Sequence, residues 1–236
     1  TKYFLKILLI MTQQYTILFV LDGTLVDTAP DLMRAHNHVM KKFGYPTKST
    51  EEIRNLVGQG AGAMLGRSIW GQAKKEFGKV QDEKIKKEMV NDFVDFYGKN
   101  LVNESTLING VKEFLIWCKE QKISMAVCTN KQEHLAVDLL KKIGINHFFE
   151  YVAGHNTFEY CKPDPRHLTS VVEILGGDIK KTLMIGDSET DANAAKNAGM
   201  PIILLEDGYT EKKITEIYHN HLVKDFVGIE KIVLKY

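Results

Sequence analysis

The stretch ILFVLDGTLVDTAP, residues 17–30, decides how the rest of the chain is read. An apolar run from Ile17 to Leu21 stops abruptly at Asp22-Gly23-Thr24. A short apolar run rich in branched residues, without polar alternation, is the pattern of a parallel strand covered by helices on both faces. Four more runs repeat it: ISMAVC (123–128), YVAG (151–154), TLMIG (182–186) and PIILL (201–205). Between them, VKEFLIWCKEQK (111–122), HLAVDLLKKIG (134–144), PRHLTSVVEILGG (165–177) and DANAAKNAG (191–199) carry apolar residues at helical spacing. Gly144, Gly176 and Gly199 are natural helix stops. This alternation predicts an α/β fold with a Rossmann-like, doubly wound parallel sheet.

One segment breaks the alternation. Between residue 29 and about 105 the periodicity is helical and no strand stands out. PDLMRAHNHVMKKFG (30–44), STEEIRNLV (49–57) and DEKIKKEMVNDFVDFYG (82–98) read as helices, with Ser49 and Glu52 spaced as a capping box. The expected organisation is an N-terminal extension (1–14), a core domain (15–27 and 106–236) and an inserted α-helical cap domain (28–105). The leading TKYFLKILLIM is too short for a bilayer, which needs about 20 apolar residues, and lacks a small-residue cleavage site. Met11 is read as the start of the ordinary domain.

A formal net charge of +1 gives no electrostatic reason for nucleic acid or an anionic membrane as partner. The three cysteines share no CxxC spacing, which suits a reducing, cytoplasmic setting. His36-Asn37-His38 and His219-Asn220-His221 have chelating spacing but no acidic or thiol company, so they read as surface residues. No zinc pattern and no Ser-His-Asp pattern is present. The glycine-rich VGQGAGAMLG (57–66) follows a helical stretch rather than a strand, so it reads as a cap loop and not as a dinucleotide fingerprint.

Ligands of open α/β sheets sit beyond the carboxyl ends of the strands. The residues at those ends are Asp22-Gly23-Thr24, Thr129-Asn130, Lys162-Pro163-Asp164-Pro165, and Asp187-Ser188 with Asp191 beyond. Carboxylates in small number suit Mg²⁺, which keeps several waters and binds through one or two acids plus substrate phosphate. The hydroxyls, the amide and the lysine suit phosphate oxygens. Gly23 allows close approach of backbone to a ligand. A small phosphorylated metabolite is the expected partner, with monomer and homodimer both open.

The motifs VLDGTLVDT (20–28), AVCTN (126–130), CKPDP (161–165) and MIGDSETDANAAKNAG (184–199) together resemble those of the haloacid dehalogenase-like hydrolases. Within that superfamily the chain is similar to bacterial phosphoglycolate phosphatases, on the inserted cap, the stretch FGYPTKSTEEIRNLVGQGAGAMLGRSI and the GYT at 208–210. The resemblance implies a Mg²⁺-dependent phosphatase converting 2-phosphoglycolate to glycolate and phosphate. It assigns catalysis to Asp22, Thr129 and Lys162, phosphoryl binding to Thr129 and Asn130 with Gly23 and Thr24 beside them, and metal binding to Asp22, Asp187 and Asp191. Arg67 is expected to pair with the substrate's carboxylate.

One position departs from the family. Its first motif carries two aspartates, the first of which attacks phosphorus; here that first position is Val20. Residues two apart on a strand share a face, so Val20 keeps the geometry and removes the oxygen. An isopropyl group has no lone pair and forms no phosphoryl intermediate. Impaired turnover is expected. Two alternatives stay open: a catalytically silent protein that binds Mg²⁺ and small phosphates, and a sister phosphatase acting on a sugar phosphate or pyrophosphate.

Overall fold

The computed structural model describes residues 15–70 and 80–236. The extension expected at 1–14 lies outside the described residues. Strand β1 (Thr16–Phe19) leads into the short β2 (Val26–Asp27). Helices α1 (Ala29–Phe43), α2 (Thr50–Arg54), α3 (Ala61–Trp70) and α4 (Val80–Lys99) follow, and β3 (Thr106–Leu107) returns the chain antiparallel to β2. The remainder is α5 (Val111–Glu120), β4 (Ser124–Cys128), α6 (Glu133–Lys142), β5 (Tyr151–Ala153), α7 (Arg166–Ile174), β6 (Thr182–Gly186), α8 (Glu189–Ala198), β7 (Ile202–Leu205), β8 (His221–Val223) and α9 (Glu230–Val233).

The main sheet has the order β5-β4-β1-β6-β7-β8, and every pair in it is parallel. All five strands expected from apolar runs are present. The edge strand β8 was not expected, because His-Leu-Val is short and only half-buried and carries no two-faced apolar signal. The Ala61–Trp70 helix replaces part of the expected glycine-rich loop. Its Ala61, Ala63, Met64 and Leu65 are good helix formers and outweigh Gly62 and Gly66.

Period-two alternation divides the core. Ile17, Phe19 and Leu21 face one helical layer, while Leu18 and Val20 face the other. Phe19 is fully buried, with its ring centroid 6.1 Å from Phe114, 5.8 Å from Phe149 and 6.4 Å from Phe226. Because β1 lies between β4 and β6, its end delivers residues 20–24 to the centre of the sheet's carboxyl edge. Val20 is held there by its amide, which donates to the Ile185 carbonyl at 3.0 Å.

The helical insert is tied back at its base. Buried Asp31, in the first turn of α1, accepts at Oδ2 from the amides of Asn103, Glu104 and Ser105 and from Ser105 Oγ, all within 2.7–3.0 Å. Asn103, Glu104 and Ser105 lead into β3, so one carboxylate holds the outgoing and returning ends of the insert together. His36 departs from expectation. It is fully buried, with Nε2 2.7 Å from Ser68 Oγ and Nδ1 2.9 Å from Asn37 Oδ1, and so links α1 to α3.

Candidate active site

A cavity of about 420 Å³ lies between the carboxyl edge of the sheet and the helical insert. From the core, Val20, Asp22, Thr129, Lys162, Asp187 and Asp191 reach its wall. The facing wall is largely apolar, formed by Met64, Val90, Phe93 and Val94. The loop from Val57 to Gly60 roofs it.

Asp187 sits at the end of β6 and is 2 % exposed. Thr24 Oγ1 donates to its Oδ1 at 2.8 Å, and the Tyr209 amide donates to its Oδ2 at 2.8 Å. Burial, and after it the neighbouring Asp191 charge, push the Asp187 carboxyl well above the usual carboxylate range. Gly23 makes this packing possible. Its φ is +76°, and a Cβ there would lie 2.2 Å from Asp187 Oδ2. Gly23 and Thr24, expected to touch substrate, do not line the cavity. They stand behind Asp187 and orient it.

Asp191 closes a capping box with Ser188 at the start of α8. Its Oδ2 accepts from the Ser188 amide at 3.0 Å and Ser188 Oγ at 2.7 Å, and its Oδ1 accepts from Lys162 Nζ at 2.6 Å. Both oxygens are engaged, and of the two roles open to Asp191, the metal shell or Lys162, the contacts seen are those that hold Lys162. Lys162 and Asp191 side chains are 2 % and 3 % exposed, so the pair is a buried one.

Asn130 also differs from expectation. Its amide nitrogen donates to the Gly58 carbonyl at 3.0 Å and the Lys162 carbonyl at 2.9 Å. Both donors are thereby spent, one of them on the roof loop, and the buried Oδ1 has no partner among the described residues. Thr129 keeps its expected place, with Oγ1 accepting from the Lys131 amide at 3.1 Å and its hydroxyl proton left to donate. Arg67 does not line the cavity. Its guanidinium donates to the Leu56 and Val57 carbonyls and pairs with Glu211 at 3.3 Å, strapping α3 to a core loop.

Three residues that sequence reasoning missed complete the site. Lys131 Nζ is 2.6 Å from Asp22 Oδ1, which also accepts from Thr28 Oγ1 at 2.7 Å. Tyr97, from α4, lies over the Lys131 ammonium with its ring centroid 4.6 Å away. Tyr209 spans the site and the base of the insert. Its hydroxyl accepts from the Thr28 and Ala29 amides at 2.9 Å each and donates to Asp27 Oδ1 at 2.5 Å. Lys131 left a signal as the residue directly after Thr129-Asn130, and Tyr209 as the centre of the GYT at 208–210, though neither pointed to a role.

Two expected results arise from these contacts. Tyr209→Phe strands the buried Thr28 amide and leaves the Ala29 amide only its 3.3 Å bond to Asp27 Oδ1, and should lower stability by about 1–3 kcal/mol in urea denaturation. The second concerns His167, which is fully buried on α7. Burial, and then the Lys162 charge, depress its imidazole to about 4. The unfolded ring takes a proton below the ordinary imidazole value of 6.5, while the folded one refuses until about 4. Stability is therefore complete above that upper value and is lost on acidification through the window, by up to roughly 3 kcal/mol. Urea denaturation across the window should show this slope in the chain and its absence in His167→Gln.

The residues present fit a small hard cation. Asp187 is a buried acid whose charge is poorly compensated, since Lys162 is committed to Asp191. Asp22 and Asp187 together offer an all-oxygen donor set at the cavity wall. Among the described residues no group of three or more His, Cys, Asp or Glu forms a metal cage, and Mg²⁺ needs none, since it binds through one or two carboxylates plus phosphate and water.

Comparison with known proteins agrees with this architecture. The family model for haloacid dehalogenase-like hydrolases matches residues 17–205. The phosphoglycolate phosphatase of Caulobacter vibrioides is 37% identical over 216 residues, covering 92% of this chain and 89% of that protein. That of Mesorhizobium japonicum is 35% identical over 210 residues, covering 89% and 90% respectively. The crystal structure of a predicted phosphoglycolate phosphatase from Haemophilus somnus superposes with a TM-score of 0.84 at 34% identity, covering 94% of this chain and 99% of that one.

Proposed function

The chain belongs to the haloacid dehalogenase-like hydrolase family, and from that premise we propose that it is built as a Mg²⁺-dependent phosphatase of 2-phosphoglycolate whose turnover is held down by Val20. The observation that carries this reading is the convergence of Asp22, Thr129, Lys162 and Asp187 on one cavity, in a chain whose curated relatives are phosphoglycolate phosphatases.

Asp187 and Asp22 would hold the metal, and Mg²⁺ when bound supplies charge neutralisation to the phosphate oxygens. Thr129 donates its hydroxyl proton to a phosphoryl oxygen. Lys162, kept in place by Asp191, adds a fixed positive charge in a water-poor site. Asp22 handles protons. Its Oδ2 has no hydrogen-bond partner among the described residues, which leaves that atom to exchange a proton with water or with the leaving oxygen. With hydrocarbon at position 20, the route left is direct attack by water. Asp22 takes its proton, the P–O ester bond breaks, and the departing glycolate oxygen is protonated. The three cysteines are free, and burial lifts the Cys118 and Cys128 thiols to about 12, so they act as packing groups in a reducing, cytoplasmic setting.

Val20 itself favours a second reading, a protein that binds Mg²⁺ and small phosphates without turning them over. Phosphate release measured with Mg²⁺ on a panel of phosphoglycolate, sugar phosphates and pyrophosphate tests the first reading in a Val20→Asp background. Phosphoglycolate is expected to show the highest kcat/KM, and a sugar phosphate or pyrophosphate in first place would replace it. Ligand-induced stabilisation of the unmodified chain without phosphate release would support the binder.

A further inference from the structure

Besides Lys162 the cavity is lined by Lys86 and Lys131, and Lys131 is the one paired with Asp22. Lys131 leaves the end of β4 directly after Thr129 and Asn130, and its side chain is 6 % exposed. Its backbone is pinned on both sides. The amide donates to Thr129 Oγ1, and the carbonyl accepts from the His155 amide at 2.8 Å. The ammonium is thus presented at one place, between Asp22 Oδ1 and the face of Tyr97. A catalytic acid must sit beside the leaving oxygen of the ester. Two side chains adjoin Asp22 Oδ1, those of Thr28 and Lys131, and Lys131 is the charged one that also lines the cavity and so faces the leaving group.

A second, independent observation points to a ligand at the same place. Tyr97 is 1 % exposed and lines the cavity, yet its hydroxyl has no hydrogen-bond partner among the described residues. A buried hydroxyl without a partner costs free energy that a ligand acceptor would return. An ammonium and a phenolic O–H on one wall, facing Met64, Val90, Phe93 and Val94 with Gln59 and Lys86 among them, suit a compact anion with two acceptor atoms.

We infer that Lys131, assisted by the Tyr97 hydroxyl, is the specificity-determining pair that binds a carboxylate on the leaving group of the phosphate ester. This rests on the phosphatase reading above and deepens it, and it gives to Lys131 the task expected of Arg67, whose guanidinium is occupied outside the cavity. In 2-phosphoglycolate the carboxylate lies one methylene from the leaving oxygen, close enough to draw the Lys131 ammonium from Asp22. The same exchange frees Asp22 for its proton, so an acidic leaving group both binds and releases the acid.

The unmodified chain suits the test, because Val20 separates binding from turnover. Isothermal titration with Mg²⁺ present compares 2-phosphoglycolate with ethyl phosphate, which keeps the phosphate and lacks the carboxylate. A charge-assisted contact predicts a preference for phosphoglycolate of about tenfold to a hundredfold in the unmodified chain. Lys131→Met should abolish most of that preference, Lys131→Arg should keep it, and Tyr97→Phe, which leaves all charges in place, should reduce it several-fold. A preference that survives Lys131→Met, or a loss that weakens both ligands equally, overturns the assignment while leaving the phosphoglycolate reading intact. A preference abolished by Lys86→Met instead gives the role to the other cavity lysine and overturns it too. Absence of any preference in the unmodified chain overturns both this inference and the phosphoglycolate reading.

Discussion

Val20→Asp should raise Mg²⁺-dependent turnover of 2-phosphoglycolate by about 10⁴–10⁶-fold, the range over which loss of an enzymic nucleophile is felt. The substitution needs no rebuilding of the site. Residue 20 sits at the end of β1, its amide bonded to Ile185, and its side chain lines the same cavity as Asp22. The valine therefore removes only the attacking oxygen. Asp22 is a poor substitute, since its Oδ1 is already gripped by Thr28 and Lys131, and small misplacements of a reacting atom cost about a hundredfold. The same substitution should lower stability in chelator by about 1–3 kcal/mol, because a fourth carboxylate joins Asp22, Asp187 and Asp191 without a partner. Mg²⁺ should restore the loss. Phosphate release and thermal denaturation, each with and without chelator, check the two halves. If the unmodified chain releases phosphate within about tenfold of the Val20→Asp variant, position 20 is not where attack occurs.

Lys162→Met is the substitution expected to hurt folding most, at about 3–5 kcal/mol. Its ammonium and the Asp191 carboxylate are 2.6 Å apart and nearly inaccessible. The pair need not be worth much as a pair, since desolvation of two ions offsets most of their attraction. Removing one partner is different. It leaves the buried Asp191 carboxyl without its cation beside Asp187, whose own carboxyl is already raised by burial and by that neighbour. Adding Asp191→Leu to Lys162→Met should therefore recover a large part of the stability while leaving the site without its fixed cation. Urea denaturation of the single and double variants forms the cycle that checks this. Additive losses, each of several kcal/mol, would show that the two side chains are not acting on one another.

Much of the fold was legible because its causes are local. Strand β1 and its neighbours are apolar runs of branched residues, and such runs have few other ways to be buried on both faces. The insert was visible because helical periodicity over residues 29 to about 105 interrupts that pattern. The pieces that escaped are those with weak local signals. The half-buried edge strand β8 is one, and the two-residue pair β2 and β3 is another, each stabilised by what it lies against rather than by its own residues.

By itself the sequence determined where the site lies and which residue types surround it. Strand ends in a doubly wound sheet converge by topology, so Asp22, Thr129, Lys162 and Asp187 had to meet, and alternation along β1 had to aim position 20 at the same mouth. Only the tertiary structure decided which of their atoms remain free to act. Asn130 spends its amide on Gly58 and Lys162, Asp191 is saturated by Ser188 and Lys162, Thr24 serves Asp187, and Arg67 turns away to Glu211. These engagements join positions as far apart as Thr24 and Asp187, 163 residues along the chain. Spacing along a chain reports helix faces and strand faces. It carries no record of which distant donor reaches an acceptor first, and that competition is what sets the chemistry left available to a ligand.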